Sequence, residues 1–226
     1  MTSNDPLRQP GFASDGEIHR LQGDGFSLFQ YPDYDTYRAI QQEGNRRKID
    51  WQFVPQSHIA LCAGFVERTL GQVRFGICHG TRSGAEQRWF AEALPGQPRV
   101  IGTEISDTAK DIPDTVQWDF HDTNPDWHER ADFVYSNSWD HAFEPLRAFA
   151  SWLDSLRPGG LLLLDHTEGH IARKANQLDA FGIKRGRLQR LLRAEFGEIA
   201  DPMEALDFTQ ANPDYPAHVV VMRKRS

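Results

Sequence analysis

The chain has little of what marks exported or membrane-bound proteins. Its only two cysteines, Cys62 and Cys78, form no disulfide framework, so a reducing cytoplasm is the expected compartment. No apolar run approaches the roughly 18 residues that a membrane span needs. Its strongest run, residues 161–164, has the length of a strand. Residues 1–25 are polar and contain glycine, with neither the basic lead nor the apolar core of a signal peptide, and are read as a loose arm. A basic excess is missing as well. The formal net charge of -7 argues against general nucleic-acid binding, because backbone recognition needs a positive footprint. Lys184, Arg185, Arg187, Arg190 and Arg193 do cluster, and this group reads either as a solvated helix face or as a local site for an anionic substrate.

What is present suits one folded unit. Of the 226 residues, 39% are apolar and 25% charged, enough for an α/β core of about 150 residues plus an appendage. Tyr31, Tyr34 and Tyr37 precede a helix expected over residues 38–48 and interrupted at Gly44. Residues 58–70 repeat apolar side chains at helical spacing, and Gly71 ends them. Residues 73–78 read as a first strand, 84–94 as a helix and 99–105 as a second strand, a βαβ unit of the right length for parallel pairing. Further strands are expected at 116–118, 132–136 and 161–165. An amphipathic helix spans 143–156, and Pro158-Gly159-Gly160 is read as the break after it. Residues 171–192 read as largely helical, interrupted near Gly182. Residues 205–208 and 218–222 read as an antiparallel hairpin at the sheet edge.

Function concentrates in the turn after the first strand. Its glycines let backbone approach a ligand, and the helix that follows presents unpaired N–H groups. Glu104 ends the second strand, where a carboxylate can accept both hydroxyls of a ribose. Asp119 and Phe120 follow the third strand and offer an acceptor for an exocyclic amine and a ring for an adenine face. The G-x-G-x-x-G turn of dinucleotide sites is absent. His79-Gly80-Thr81-Arg82-Ser83-Gly84 places arginine where a close-approach glycine would stand, which disfavours a nicotinamide enzyme.

Four segments together resemble a class I S-adenosylmethionine-dependent methyltransferase. They are residues 75–84, with a variant glycine-rich turn; 100–105, with the ribose carboxylate; 116–120, at the adenine; and 156–161, the Leu-Arg-Pro-Gly-Gly-Leu approach to the fifth strand. Gly76 holds the usual acidic position, and Cys78 and Arg82 replace usual glycines. The resemblance implies a three-layer Rossmann-like α/β core with a mostly parallel seven-stranded sheet and a C-terminal antiparallel hairpin. Residues 58–226 would form the S-adenosylmethionine domain, and residues 1–57 an arm that can serve as a substrate lid. Cys78, His79, Gly80, Arg82, Glu104, Ile105, Asp119, Phe120 and Asn137 become the cofactor-binding candidates, with Arg82 either directed at the methionine carboxylate or serving as a rigid support behind the site.

Methyl transfer needs a nucleophile in line with the sulfonium methyl, and a hydroxyl acceptor also needs a proton acceptor. His166, preceded by Asp165, is the preferred base, because imidazole exchanges protons near neutral pH. His141 is a further candidate for holding substrate. Asp140, Asp165 and His166 form an alternative divalent-metal set, although the leading reading uses no metal. The expected activity is methyl transfer to a small-molecule or saccharide acceptor at oxygen. The alternative is a non-catalytic nucleotide-pocket accessory protein.

Overall fold

A computed structural model describes residues 18–226. The part of the expected arm at residues 1–17 lies outside them. The described remainder of that arm is ordered: β1 (His19–Gly23) and β2 (Phe26–Gln30) form an antiparallel hairpin. Phe26 and Leu28 are drawn into the main hydrophobic core, and each such burial contributes about 1.5–3 kcal/mol.

Helix α1 (Tyr34–Arg47) starts where the Asp33 side chain accepts from the Thr36 N–H at 2.7 Å. It runs unbroken through Gly44. A Cβ there would lie 2.3 Å from Leu178 Cδ1, so the glycine is a packing notch rather than a helix break. Helix α2 (Gln56–Leu70) follows and ends at Gly71, whose φ is 71°.

The central sheet begins with β3 (Phe75–His79), α3 (Ala85–Ala93), β4 (Arg99–Glu104) and β5 (Thr115–Gln117). The chain then crosses back to β6 (Ala131–Ser136) on the other side of β3. It continues through α4 (Pro145–Ser155) to β7 (Leu156–His166). Strands β5, β4, β3, β6 and β7 are all parallel. Pro158, Gly159 and Gly160 belong to β7 instead of preceding it. A register irregularity opposite Ala131–Phe133 and a Gly159 φ of 78° absorb the local distortion.

The stretch 171–192 is the largest departure from the sequence reading. Only its end is helical, in α5 (Arg185–Phe196), and β8 (Phe181–Ile183) instead pairs with β2. Gly182 permits the close packing of this strand, because a Cβ there would stand 2.6 Å from the Ile171 carbonyl oxygen. The basic cluster lies at the start of and along α5. Strands β9 (Ala200–Pro202) and β10 (Leu206–Asp207) both flank β11 (His218–Lys224), which runs antiparallel beside β7. The expected mostly parallel sheet with a C-terminal antiparallel hairpin is present, and the two short strands β9 and β10 both pair with β11.

Side chains of α2 and α3 cover one face of the sheet and those of α4 and α5 the other, giving three layers. Strand β7 shows the alternation. Leu161 and Leu163 face α2 and α3, whereas Leu162 and Leu164 face α4 and α5. No helix among the described residues is long and apolar enough to cross a membrane.

Candidate functional site

Because the chain leaves β3 toward β4 and later returns to β6, the connections after β3 and β6 diverge and open a crevice at the carboxyl edge of the sheet. Gly80 is in the left-handed region with φ 72°, and an added Cβ would approach Ser138 Cβ to 2.7 Å. The turn and the loop after β6 therefore meet closely. The Ser138 hydroxyl fixes the contact by donating to the Gly80 carbonyl at 3.1 Å.

One cavity in this crevice is lined by Gly80, Arg82, Glu104, Ile105, Asp119 and Phe120. Its roof is one face of α1, through Tyr37, Gln41, Asn45 and Lys48, which follow helical spacing. Its volume is about 40 Å³, well below the several hundred typical of a ligand pocket, so the roof lies close against the floor. Burial pushes the Glu104 carboxyl above its usual range, while the Ser106 N–H, donating at 2.9 Å, works in the opposite direction. The Asn45 side chain on the roof acts in the same direction as the Ser106 N–H.

Burial by itself would raise Asp119, but hydrogen bonds prevail and hold it below the usual carboxylate range. His121 supplies two of them, its backbone N–H at 2.9 Å and its ring Nδ1 at 2.7 Å, both to Oδ1. The Tyr34 hydroxyl takes Oδ2.

A second, larger cavity of about 300 Å³ adjoins the first and shares Lys48, Arg82, Ser138 and His141 with it. Asn137, Asp140, His170 and Tyr215 also line it. Burial pushes the Asp140 carboxyl up to about 7, the lowering influence of His141 being smaller. The nearest basic atom is His170 Nε2 at 3.9 Å. That nitrogen is committed elsewhere: His170 Nδ1 accepts from the Thr167 N–H at 2.9 Å, which leaves Nε2 to donate to the Asn137 carbonyl at 2.8 Å. Sequence reasoning placed Asp140 among the metal ligands and among the loop residues able to assist proton loss, but preferred His166 as the base. Its place just past β6 was visible, but its burial without a close cation was not.

Several candidates fall outside these cavities. The Cys78 side chain is fully buried in the core beneath α2 and α3 and lines neither cavity. The His79 ring stacks on Trp152 at 4.9 Å, bonds Thr103 Oγ1 at 2.8 Å, and is pushed down to about 3 by burial. Neither side chain faces the crevice.

The expected base also requires correction. His166 is turned toward Trp139, 6.0 Å away between ring centres, and its Nε2 meets the Ile183 carbonyl at 2.8 Å. Burial lowers it to about 4. Asp165 points to the opposite face of β7, as adjacent strand residues must. Its Oδ1 meets His58 Nε2 at 2.9 Å, and its Oδ2 accepts from the Tyr135 hydroxyl at 2.6 Å. Neither the Asp165 nor the His166 side chain lines the cavity that holds Asp140, so the structure does not gather Asp140, Asp165 and His166 as a metal set. Asp165 instead groups with His58 and Cys62, all three fully buried and linked by hydrogen bonds. His141 does reach both cavities, with Nδ1 2.7 Å from Gln41 Oε1 and Nε2 3.4 Å from Asp179 Oδ1. Those contacts suit it to orient groups rather than to transfer protons.

No family model and no curated protein matches the chain in sequence. Solved structures match in shape. The 1,6-didemethyltoxoflavin-N1-methyltransferase of Burkholderia thailandensis, solved with its substrate and S-adenosylhomocysteine, is 16% identical, with a TM-score of 0.64 over 93% of this chain and 100% of that one. The N-methyltransferase NodS of Bradyrhizobium japonicum WM9 is 13% identical, with a TM-score of 0.57 over 82% and 99%. The [4+2]-cyclase SpnF is 14% identical, with a TM-score of 0.53 over 74% and 80%. The fold is that of the class I S-adenosylmethionine-dependent methyltransferases. A cyclase among these structures shows that the fold alone does not set the reaction.

Proposed function

We propose that the protein binds S-adenosylmethionine in the crevice and transfers its methyl group to a small-molecule acceptor held in the adjoining cavity. The observation that carries this reading is the shared cavity of Gly80, Glu104, Asp119 and Phe120, which gathers a close-approach turn, a ribose acceptor, an amine acceptor and an aromatic face. Glu104 takes the ribose hydroxyls. Phe120 and Asp119 take the adenine, and the segment before residue 58, above all α1, acts as the lid.

The acceptor lies beside Asp140. As its oxygen or nitrogen attacks the methyl carbon, the S–CH₃ bond breaks, its electron pair goes to sulfur, and the acceptor's proton passes to the Asp140 carboxylate. A carboxyl raised to about 7 is a competent proton acceptor near neutral pH. Oxygen in a small hydroxylated or saccharide-like compound is the leading acceptor. Two of the similar structures are named N-methyltransferases, which favours nitrogen as the second reading. A binding protein without transfer activity is the alternative prompted by Gly76 and Arg82 in the turn.

The test is calorimetric titration with S-adenosylmethionine, S-adenosylhomocysteine and NAD(H) side by side. Micromolar binding of the two sulfur nucleosides without NAD(H) is expected. Binding of NAD(H) alone would overturn the proposal.

A further inference from the structure

Away from the crevice, the interior holds a polar cluster that methyl transfer leaves unused. His58 and Cys62 stand four residues apart on α2, so their side chains leave the same face of the helix about one turn apart. Asp165, near the end of β7, meets them from the sheet. All three side chains are fully buried. Their donor atoms lie within 4.8 Å of one another, with His58 Nε2 2.9 Å from Asp165 Oδ1 and 3.5 Å from Cys62 Sγ.

Hydrogen bonding alone serves this group poorly. The ring nitrogen has one proton to give, and the carboxylate at 2.9 Å takes it. The Cys62 thiol then faces an N–H that has no lone pair left to receive its own proton. A divalent cation would satisfy nitrogen, sulfur and oxygen together. Bonds of about 2.0–2.3 Å at tetrahedral angles hold neighbouring donor atoms about 3.3–3.6 Å apart, close to the spacings found here.

We infer that His58, Cys62 and Asp165 form a closed structural zinc site that clamps α2 to the end of β7. Imidazole, thiolate and one carboxylate are a donor set for zinc, whereas magnesium and calcium take oxygen donors. On binding, the thiol releases its proton to solvent, and the imidazole holds its proton on Nδ1 so that Nε2 can coordinate. Thiolate and carboxylate then neutralise the ion, as a dry interior requires. The fourth position falls to a water molecule, or to Asp165 Oδ2 if the carboxylate binds through both oxygens. The Tyr135 and Tyr215 hydroxyls, 2.6 and 3.1 Å from Oδ2, fix the orientation of that carboxylate.

None of the three residues lines either cavity of the crevice, so the ion holds structure and takes no part in transfer. Its effect reaches the larger cavity through Tyr215. That hydroxyl stands 2.7 Å from Asn137 Oδ1, and both residues line the cavity wall.

Because the site is closed, the metal has to enter during folding. The experiment measures the zinc content of protein purified from zinc-supplemented cells without a metal-affinity step. A second portion is unfolded in guanidinium chloride with EDTA and refolded with Zn²⁺, Co²⁺, Mg²⁺ or no metal. One zinc per chain is expected to survive dialysis against EDTA. The cobalt protein should show a thiolate-to-cobalt charge-transfer band, and zinc should raise the thermal midpoint by about 10 °C over the metal-free protein while magnesium leaves it unchanged. Cys62→Ala should lose the zinc, the band and the zinc-induced shift, while its metal-free midpoint stays near that of the metal-free wild type. Wild type that carries less than a tenth of an equivalent of zinc, shows no cobalt band and melts alike with and without zinc would overturn the site. Equal zinc retention by Cys62→Ala would overturn it as well. None of these readouts involves S-adenosylmethionine, so the outcome is independent of the proposed activity.

Discussion

The Tyr34 hydroxyl donates to Asp119 Oδ2 at 2.8 Å, tying the first turn of α1 to the loop after β5. That bond joins the roof of the first cavity to its floor and occupies one oxygen of the carboxylate proposed to take the adenine amine. A carboxylate oxygen has two lone pairs, so ligand and lid can share it, but the lid must first move.

Removing this latch should therefore act on kinetics. In Tyr34→Phe one partly exposed hydrogen bond is lost, worth about 1 kcal/mol, so S-adenosylhomocysteine should associate about fivefold faster while thermal stability changes little. Stopped-flow fluorescence measures this directly. An association rate equal to that of the wild type would show that the Tyr34 contact does not limit entry.

The glycine turn offers a contrast between two positions. Gly84 has φ 74°, and its added Cβ would stand 2.5 Å from Ile112 Cγ2; Gly96 has φ 80°, with nothing within 4 Å. Gly96→Ala incurs only backbone strain, about 1–2 kcal/mol. Gly84→Ala adds overpacking and should cost about 2–4 kcal/mol in denaturant unfolding. Equal losses at the two sites would mean that the turn does not pack as described.

Asp140 links pH to both rate and stability. Its folded-state carboxyl is raised to about 7 from the ordinary 3.8, so the folded protein holds a proton that the unfolded chain has released between those values. Its contribution to stability is full below about 4 and lost as pH rises through 7. Asp140→Asn should consequently gain stability relative to the wild type over that window, by up to about 4 kcal/mol. With any accepted methyl acceptor, wild-type turnover should rise as pH passes 7. Asp140→Asn should lower turnover about 10²–10⁴-fold with S-adenosylhomocysteine affinity unchanged. Unchanged single-turnover rates would remove Asp140 from the chemistry.

The parts of this arrangement that the sequence reveals are those written in local patterns. The alternation of β3, α3 and β4 is local, and so is the position of Glu104 at a strand end; apolar periodicity and glycine turns mark both. The errors arise where distant segments decide. Phe181–Ile183 is a strand because β2, some 150 residues earlier, supplies its hydrogen-bonding edge. Asp165 and His166 look like one catalytic pair in sequence, yet strand pleating sends them to opposite faces.

The most direct test is a crystal structure with S-adenosylhomocysteine, measuring the distance from the ribose hydroxyl oxygens to the Glu104 carboxylate. Both hydroxyls are predicted within hydrogen-bonding distance, with the nucleoside between the Gly80 backbone and α1. A ligand bound elsewhere, or a ribose turned away from Glu104, would contradict the account.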